Sequence, residues 1–131
     1  MSIPQLNTAI YTSLGGTITN AGSRVYFETA PDSPTLPYVI FDYVNDGDEN
    51  QTPHRTKNDV LFIRAYATTP VAAGTIDGQI DAILHMREIT VTGYKNFWAA
   101  RENAYSLAET DSAGKKTYMA GAEYRIRLEK T

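Results

Sequence analysis

The chain has 131 residues, 42% hydrophobic and 21% charged, with a formal net charge of −3. That length suits one domain, residues 1–131, with enough apolar content for its own core. The charge argues against a protein bound along nucleic acid, which needs a cationic face, and no sequence-specific nucleic-acid contact is expected. No cysteine is present, which removes disulfides, thiolate nucleophiles and thiolate-bound zinc.

Met1 to Gln5 shows no basic segment followed by an apolar one, so no secretory signal is read there. The longest aliphatic and aromatic runs, Tyr38–Phe41 and Val60–Ile63, are too short to span a bilayer as helices. The expectation is a soluble intracellular protein with no membrane contact.

In chain order, Ser2 and Gln5 have the spacing of a capping box, and Pro4 is tolerated in a first helical turn. Ile3, Leu6, Ile10 and Leu14 form one apolar stripe, and Gly15-Gly16 ends the run. A helix is therefore predicted over about 3–14. Arg24–Phe27 is a short strand candidate. The prolines at 31, 34 and 37 make the following segment a non-helical connection.

Tyr38–Val44 and Asp59–Ala67 are rich in β-branched and aromatic residues and read as strands. Asn45–Asn58 is polar, with Gly47 and Pro53, and reads as a long exposed loop. Its charged residues Asp46, Asp48, Glu49, Arg55 and Lys57 are candidate interface residues.

Thr69 is a plausible N-cap before Pro70. Ala73, Ile76, Ile80, Ile83 and Leu84 build an apolar face, so a second helix is predicted over about 70–86, with His85 and Arg87 in its last turn. Gly74 and Gly78 lie on nearly one side of it, and close packing on a sheet is the favoured reading. Ile89–Val91 is a possible short strand and Phe97–Glu109 a long one. After a turn at Asp111–Gly114, Tyr118, Ala120, Ala122, Tyr124, Ile126 and Leu128 alternate with polar residues, the clearest strand signal in the chain. The last two strands should form an antiparallel hairpin. The sum is an α+β fold, a mostly antiparallel sheet of about four to five strands with two helices packed on it.

Chemistry-bearing patterns are incomplete. His54 falls in the polar loop and His85 at a helix end, and both are read as non-catalytic. Asp46, Asp48 and Asn50 alternate as in a calcium loop, but Gln51 and Lys57 occupy the positions that need glycine and glutamate. Gly114-Lys115-Lys116-Thr117 lacks the earlier glycine and the strand-to-helix setting of a phosphate loop. No cofactor, metal or catalytic residue is expected.

The faces of the two strong strands are more informative. Tyr38, Ile40 and Val44 oppose Val39, Phe41 and Tyr43; Val60, Phe62 and Tyr66 oppose Leu61, Ile63 and Ala65. Both faces are apolar and need cover. Either one helix lies on each, or the sheet curls enough to bury both, or both helices lie on one face and the other meets a partner. Nine tyrosines and one tryptophan suit an interface, and Trp98 and Tyr105 are candidate interface aromatics.

Arg24-Val25-Tyr26, then a proline-rich stretch and Leu36-Pro37-Tyr38-Val39-Ile40, resemble the tail-completion, or tail-terminator, family of long-tailed bacteriophages. So do the helix ending Ile80-Asp81-Ala82-Ile83-Leu84-His85, the segment Ile89-Thr90-Val91-Thr92-Gly93, and Glu109-Thr110-Asp111 before the closing hairpin. The resemblance runs from Arg24 to Lys130 and implies a structural virion protein, not an enzyme. Such proteins cap the tail tube, stop its polymerisation and face the head connector, typically as a hexameric ring. The implied partners are further copies of the chain, the tail tube protein and a head connector or neck protein. The implied location is the head-proximal end of the tail, and the host cytoplasm during assembly. The competing readings are another neck component, such as a head-completion protein or connector adaptor, and a small hydrolase.

Overall fold

The fold is known from a computed structural model, described for residues 4–15, 24–30, 32, 35–50, 55–110 and 113–130. The expected cap at Ser2, the second glycine Gly16, His54 and the turn residues Asp111 and Ser112 lie outside the described residues.

Apolar spacing sets the first helix, α1 (Pro4–Leu14), which buries Leu6, Ala9, Ile10 and Leu14. The strands β1 (Val25–Phe27), β2 (Tyr38–Asn50) and β3 (Arg55–Ala67) follow, then α2 (Pro70–Leu84), β4 (Tyr94–Thr110) and β5 (Lys116–Lys130). They form one five-stranded sheet in the order β1-β2-β3-β5-β4. β1 runs parallel to β2, and every other pair is antiparallel. The expected α+β class is found, with a mixed sheet.

Two expectations are corrected here. The polar stretch 45–58, read as a loop, is mostly strand: β2 continues to Asn50 and β3 starts at Arg55. β5 supplies the reason. Its C-terminal end pairs with the start of β3, Thr56 opposite Glu129 and Lys57 opposite Leu128, and such pairing overrides the poor strand propensity of Asn, Asp and Gly. Ile89–Val91 is not a strand. Its ladder pairing with β4 consists of isolated bridges at Arg87–Ala99 and Val91–Tyr94.

Thr69 caps α2 as expected, its side-chain oxygen accepting the Ala72 N–H at 3.1 Å. The helix stops at Leu84, so His85 and Arg87 lie beyond its last turn. Met86 then takes a left-handed conformation, φ +56°, where glycine or asparagine is usual. Gly74 and Gly78 do not pack on the sheet. Both are exposed, with nothing among the described residues within 4 Å of where a Cβ would stand. Each costs about 1 kcal/mol of helix stability relative to alanine, and no packing among the described residues requires it.

Both helices cover the same face of the sheet. Leu6, Ile10 and Leu14 of α1 and Ile76, Ile80 and Leu84 of α2 share one core with Val39, Phe41, Leu61, Ile63, Tyr124 and Ile126. Burying side chains of this size contributes about 1.5–3 kcal/mol each. Polar ties fix the layers. Tyr43 Oη donates to Asn7 Oδ1 at 2.9 Å, joining β2 to α1. The Arg101 guanidinium donates to both oxygens of Asp77 (2.7 and 3.1 Å) and to Tyr124 Oη (3.3 Å), joining α2, β4 and β5. The hydrogen bond to Asp77 holds Arg101 charged, well above its ordinary value. Burial pushes the Tyr124 phenol up to about 12.

Candidate functional site

The second face of the sheet carries Tyr38, Ile40, Asp42 and Val44 from β2, and Phe62, Arg64 and Tyr66 from β3. Met119, Glu123 and Arg125 of β5 and Trp98, Tyr105 and Leu107 of β4 complete it. No described helix lies on this side. Of the arrangements open from sequence, the structure has both described helices on one face.

Three register shifts shape this surface, each an extra residue in one strand. In β2 the shift falls between Tyr43 and Asn45, which makes Val44 the inserted residue. In β4 shifts fall between Asn96 and Trp98 and between Arg101 and Ala104. Bulges of this kind twist and bend a strand and re-aim its side chains. Trp98 and Tyr105 are seven residues apart, so strict alternation would put them on opposite faces. The shift at Arg101–Ala104 brings both to the uncovered face. Asn96 holds the first bulge together. It is buried, donates to the carbonyls of Trp98 (3.3 Å) and Arg127 (3.0 Å), and accepts the Ile89 N–H at 2.9 Å.

Gly121 lets the sheet curl. A Cβ there would stand 2.6 Å from Arg64 Cβ and 2.7 Å from both Arg64 Cα and the Ile63 carbonyl oxygen. With no side chain in the way, Tyr105 reaches over β5 to Phe62, ring centres 5.5 Å apart, edge to face. The result is an open hollow of about 360 Å³ lined by Val44, Phe62, Tyr105, Leu107, Met119 and Glu123. Val44, Tyr105 and Leu107 are 56%, 48% and 51% exposed. Exposed apolar side chains gathered in a concavity mark contact surfaces.

A polar frame surrounds it. Glu123 accepts from Tyr105 Oη at 2.6 Å and from Asn103 Nδ2 at 3.2 Å, and the first of these bonds raises the Tyr105 phenol above its ordinary value. Arg64 pairs with Asp42 (2.9 Å), donates to Tyr66 Oη (3.0 Å) and lies 4.9 Å from the centre of the Phe62 ring. Arg125 pairs with Glu102 at 3.1 Å. Apolar centre and charged rim together have the composition of a protein–protein contact.

The outer edge of β4 is covered only in part. Residues 85–91 lie along its first half, with the Met86 N–H on the Ala99 carbonyl (2.6 Å) and His85 Nδ1 accepting the Arg101 N–H (3.0 Å). Residues 102–110 are all exposed.

Of the residues singled out from sequence, Tyr105 lines the hollow and Trp98 sits half-buried on the same face. Asp46, Asp48 and Glu49 lie on β2 and Arg55 on β3. Lys57 is buried opposite Leu128, not displayed in a loop. Leu107, Met119 and Glu123 were not anticipated. Their signal is present only in the alternation of the last two strands once the Arg101–Ala104 bulge is known. Among the described residues no three His, Asp or Glu side chains gather in a metal-ligand cluster.

The fold recurs in solved proteins. One chain in a structure titled "Virion of native gene transfer agent (GTA) particle" superposes with TM-score 0.77 at 15% identity, over 95% of this chain and 94% of that one. A second solved chain, whose name states no function, superposes with TM-score 0.58 at 13% identity, covering 96% of each. No curated protein matches the sequence. The family described as "Tail completion protein gp17" matches residues 5–129. A match over nearly the whole length shows that this chain belongs to the phage tail completion family and is a structural protein of the virion tail.

Proposed function

We propose that the protein caps the head-proximal end of the tail tube as a ring of six copies, ends tube polymerisation and presents a surface to the head connector. The observation that carries this reading is the uncovered sheet face in a chain of the tail completion family: an apolar hollow with a charged rim, which a protein acting alone would have no reason to keep open. A ring follows when one surface of a subunit meets a different surface of the next and the rotation closes.

The β2–β3 hairpin is the second contact element. Its two arms carry Asp46, Asp48, Glu49 and Arg55, mixed charges that steer docking on the tube protein or a neighbour more than they add affinity.

The test is assembly of tails with and without the protein. Omission is expected to give tubes of uncontrolled length that fail to join heads, and addition to restore both. Tails of normal length that join heads in its absence would sink the reading. Neutralising Asp48 and Glu49 together should slow docking on tubes and weaken its salt dependence while the chain stays folded.

A further inference from the structure

The helix–sheet sandwich has an unoccupied surface on each side. On the sheet side is the hollow of Val44, Phe62, Tyr105, Leu107, Met119 and Glu123. On the helix side, α2 turns Val71, Gly74, Thr75, Gly78 and Ala82 outward, all exposed and none charged. Helical spacing makes these one stripe. Val71 is 78% exposed, and both glycines have open space where a side chain would be.

The two surfaces also match in charge. The first turn of α2 has no acidic residue, so its partial positive end is not offset by its own sequence. The hollow supplies a carboxylate, Glu123, the one charged residue among the described residues that line it.

We propose that in the assembled ring the hollow is filled by the outer stripe of α2 from the adjacent copy, with Val71 seated among Phe62, Leu107 and Met119 and the first turn directed at Glu123. This rests on the ring reading above. A second copy is the occupant because the complementary surfaces lie on opposite sides of one sandwich. Contact between them is head-to-tail, which makes a ring when the rotation per copy closes; a face-to-face pair would stop at two. The small residues let the neighbouring sheet approach the helix closely. The uncovered sheet face thereby gains the second helical layer that a sheet with two apolar faces needs.

The absence of cysteine allows a direct test. Val71→Cys and Leu107→Cys, which the proposed contact brings together, are combined in the full chain, one on each surface, and the concentrated protein and assembled tails are mildly oxidised. The expected product is a ladder of covalent multimers ending in a closed species, whereas Val71→Cys alone forms none. Gly78→Glu should weaken self-association by about tenfold or more, with an unchanged or higher thermal midpoint for the free chain. Rings that form normally with Gly78→Glu, or without any 71–107 linkage, overturn the surface assignment alone. So does a photo-crosslinker at position 107 that captures the tube protein in place of a second copy. No self-association at all, free or on tails, overturns this assignment and the ring together.

Discussion

Phe62 and Tyr105 meet edge to face at 5.5 Å although β5 runs between their strands. The contact requires the strand in the middle to carry nothing at the crossing point, and Gly121 is that position, opposite both Arg64 and Tyr105. Gly121→Ala should therefore force backbone apart, because two of the three atoms its Cβ would meet belong to the main chain. A loss of about 1–3 kcal/mol is expected in chemical denaturation. A variant as stable as the parent would show that the curl does not depend on this residue.

The Arg101–Asp77 pair joins helix to sheet at 2.7 Å, with the two side chains 22% and 14% exposed. Asp77→Ala leaves the guanidinium poorly compensated, and a cost of about 1.5–3 kcal/mol is expected. In a double-mutant cycle with Arg101→Met, the second substitution should cost much less than it does alone. Full additivity would mean that the pair does not couple.

Alkaline unfolding should report on Tyr124. Its phenol lies at about 12 in the folded chain against an ordinary 10.0, so the folded state favours the neutral form. That contribution is complete below pH 10 and is lost as pH rises from 10 toward 12. The folded chain should lose about 2–3 kcal/mol over this range through Tyr124. Tyr124→Phe should flatten the fall by that amount. An unchanged pH profile in the variant would assign the alkaline transition to other groups.

Gly74→Ala and Gly78→Ala should each stabilise the isolated chain by about 0.5–1 kcal/mol, since neither position meets a neighbour within it. Thermal melts of the free protein measure this directly. A destabilised variant would mean that these positions pack against something inside the chain.

Much of this was legible in the sequence. Helical spacing gave α1 and α2 within a residue or two at each end, and the alternation from Tyr118 to Leu128 identified the last strand. The two apolar faces of β2 and β3 raised the question of a missing cover, and Tyr105, named as a candidate interface aromatic, lies on the uncovered face. Other features depend on long-range pairing. Nothing local in 45–58 says strand, because the stabilising partner of its second arm is β5, some seventy residues away. The outward glycines of α2 were misread because spacing gives a side of the helix but not what lies beyond it. Val44, Leu107 and Met119 could not be placed in one hollow without knowing where β2 and β4 each hold an extra residue.

That extra residue in β4 separates two properties that usually change together. Removing one residue between Arg101 and Ala104 would restore regular alternation and still leave Tyr105 and Leu107 on the side they now occupy. What would change is the bend, and with it the direction in which the β4–β5 arm leaves the body of the molecule. A family member that differed in length at this point would differ in the bend of β4 while keeping the same side chains on the uncovered face.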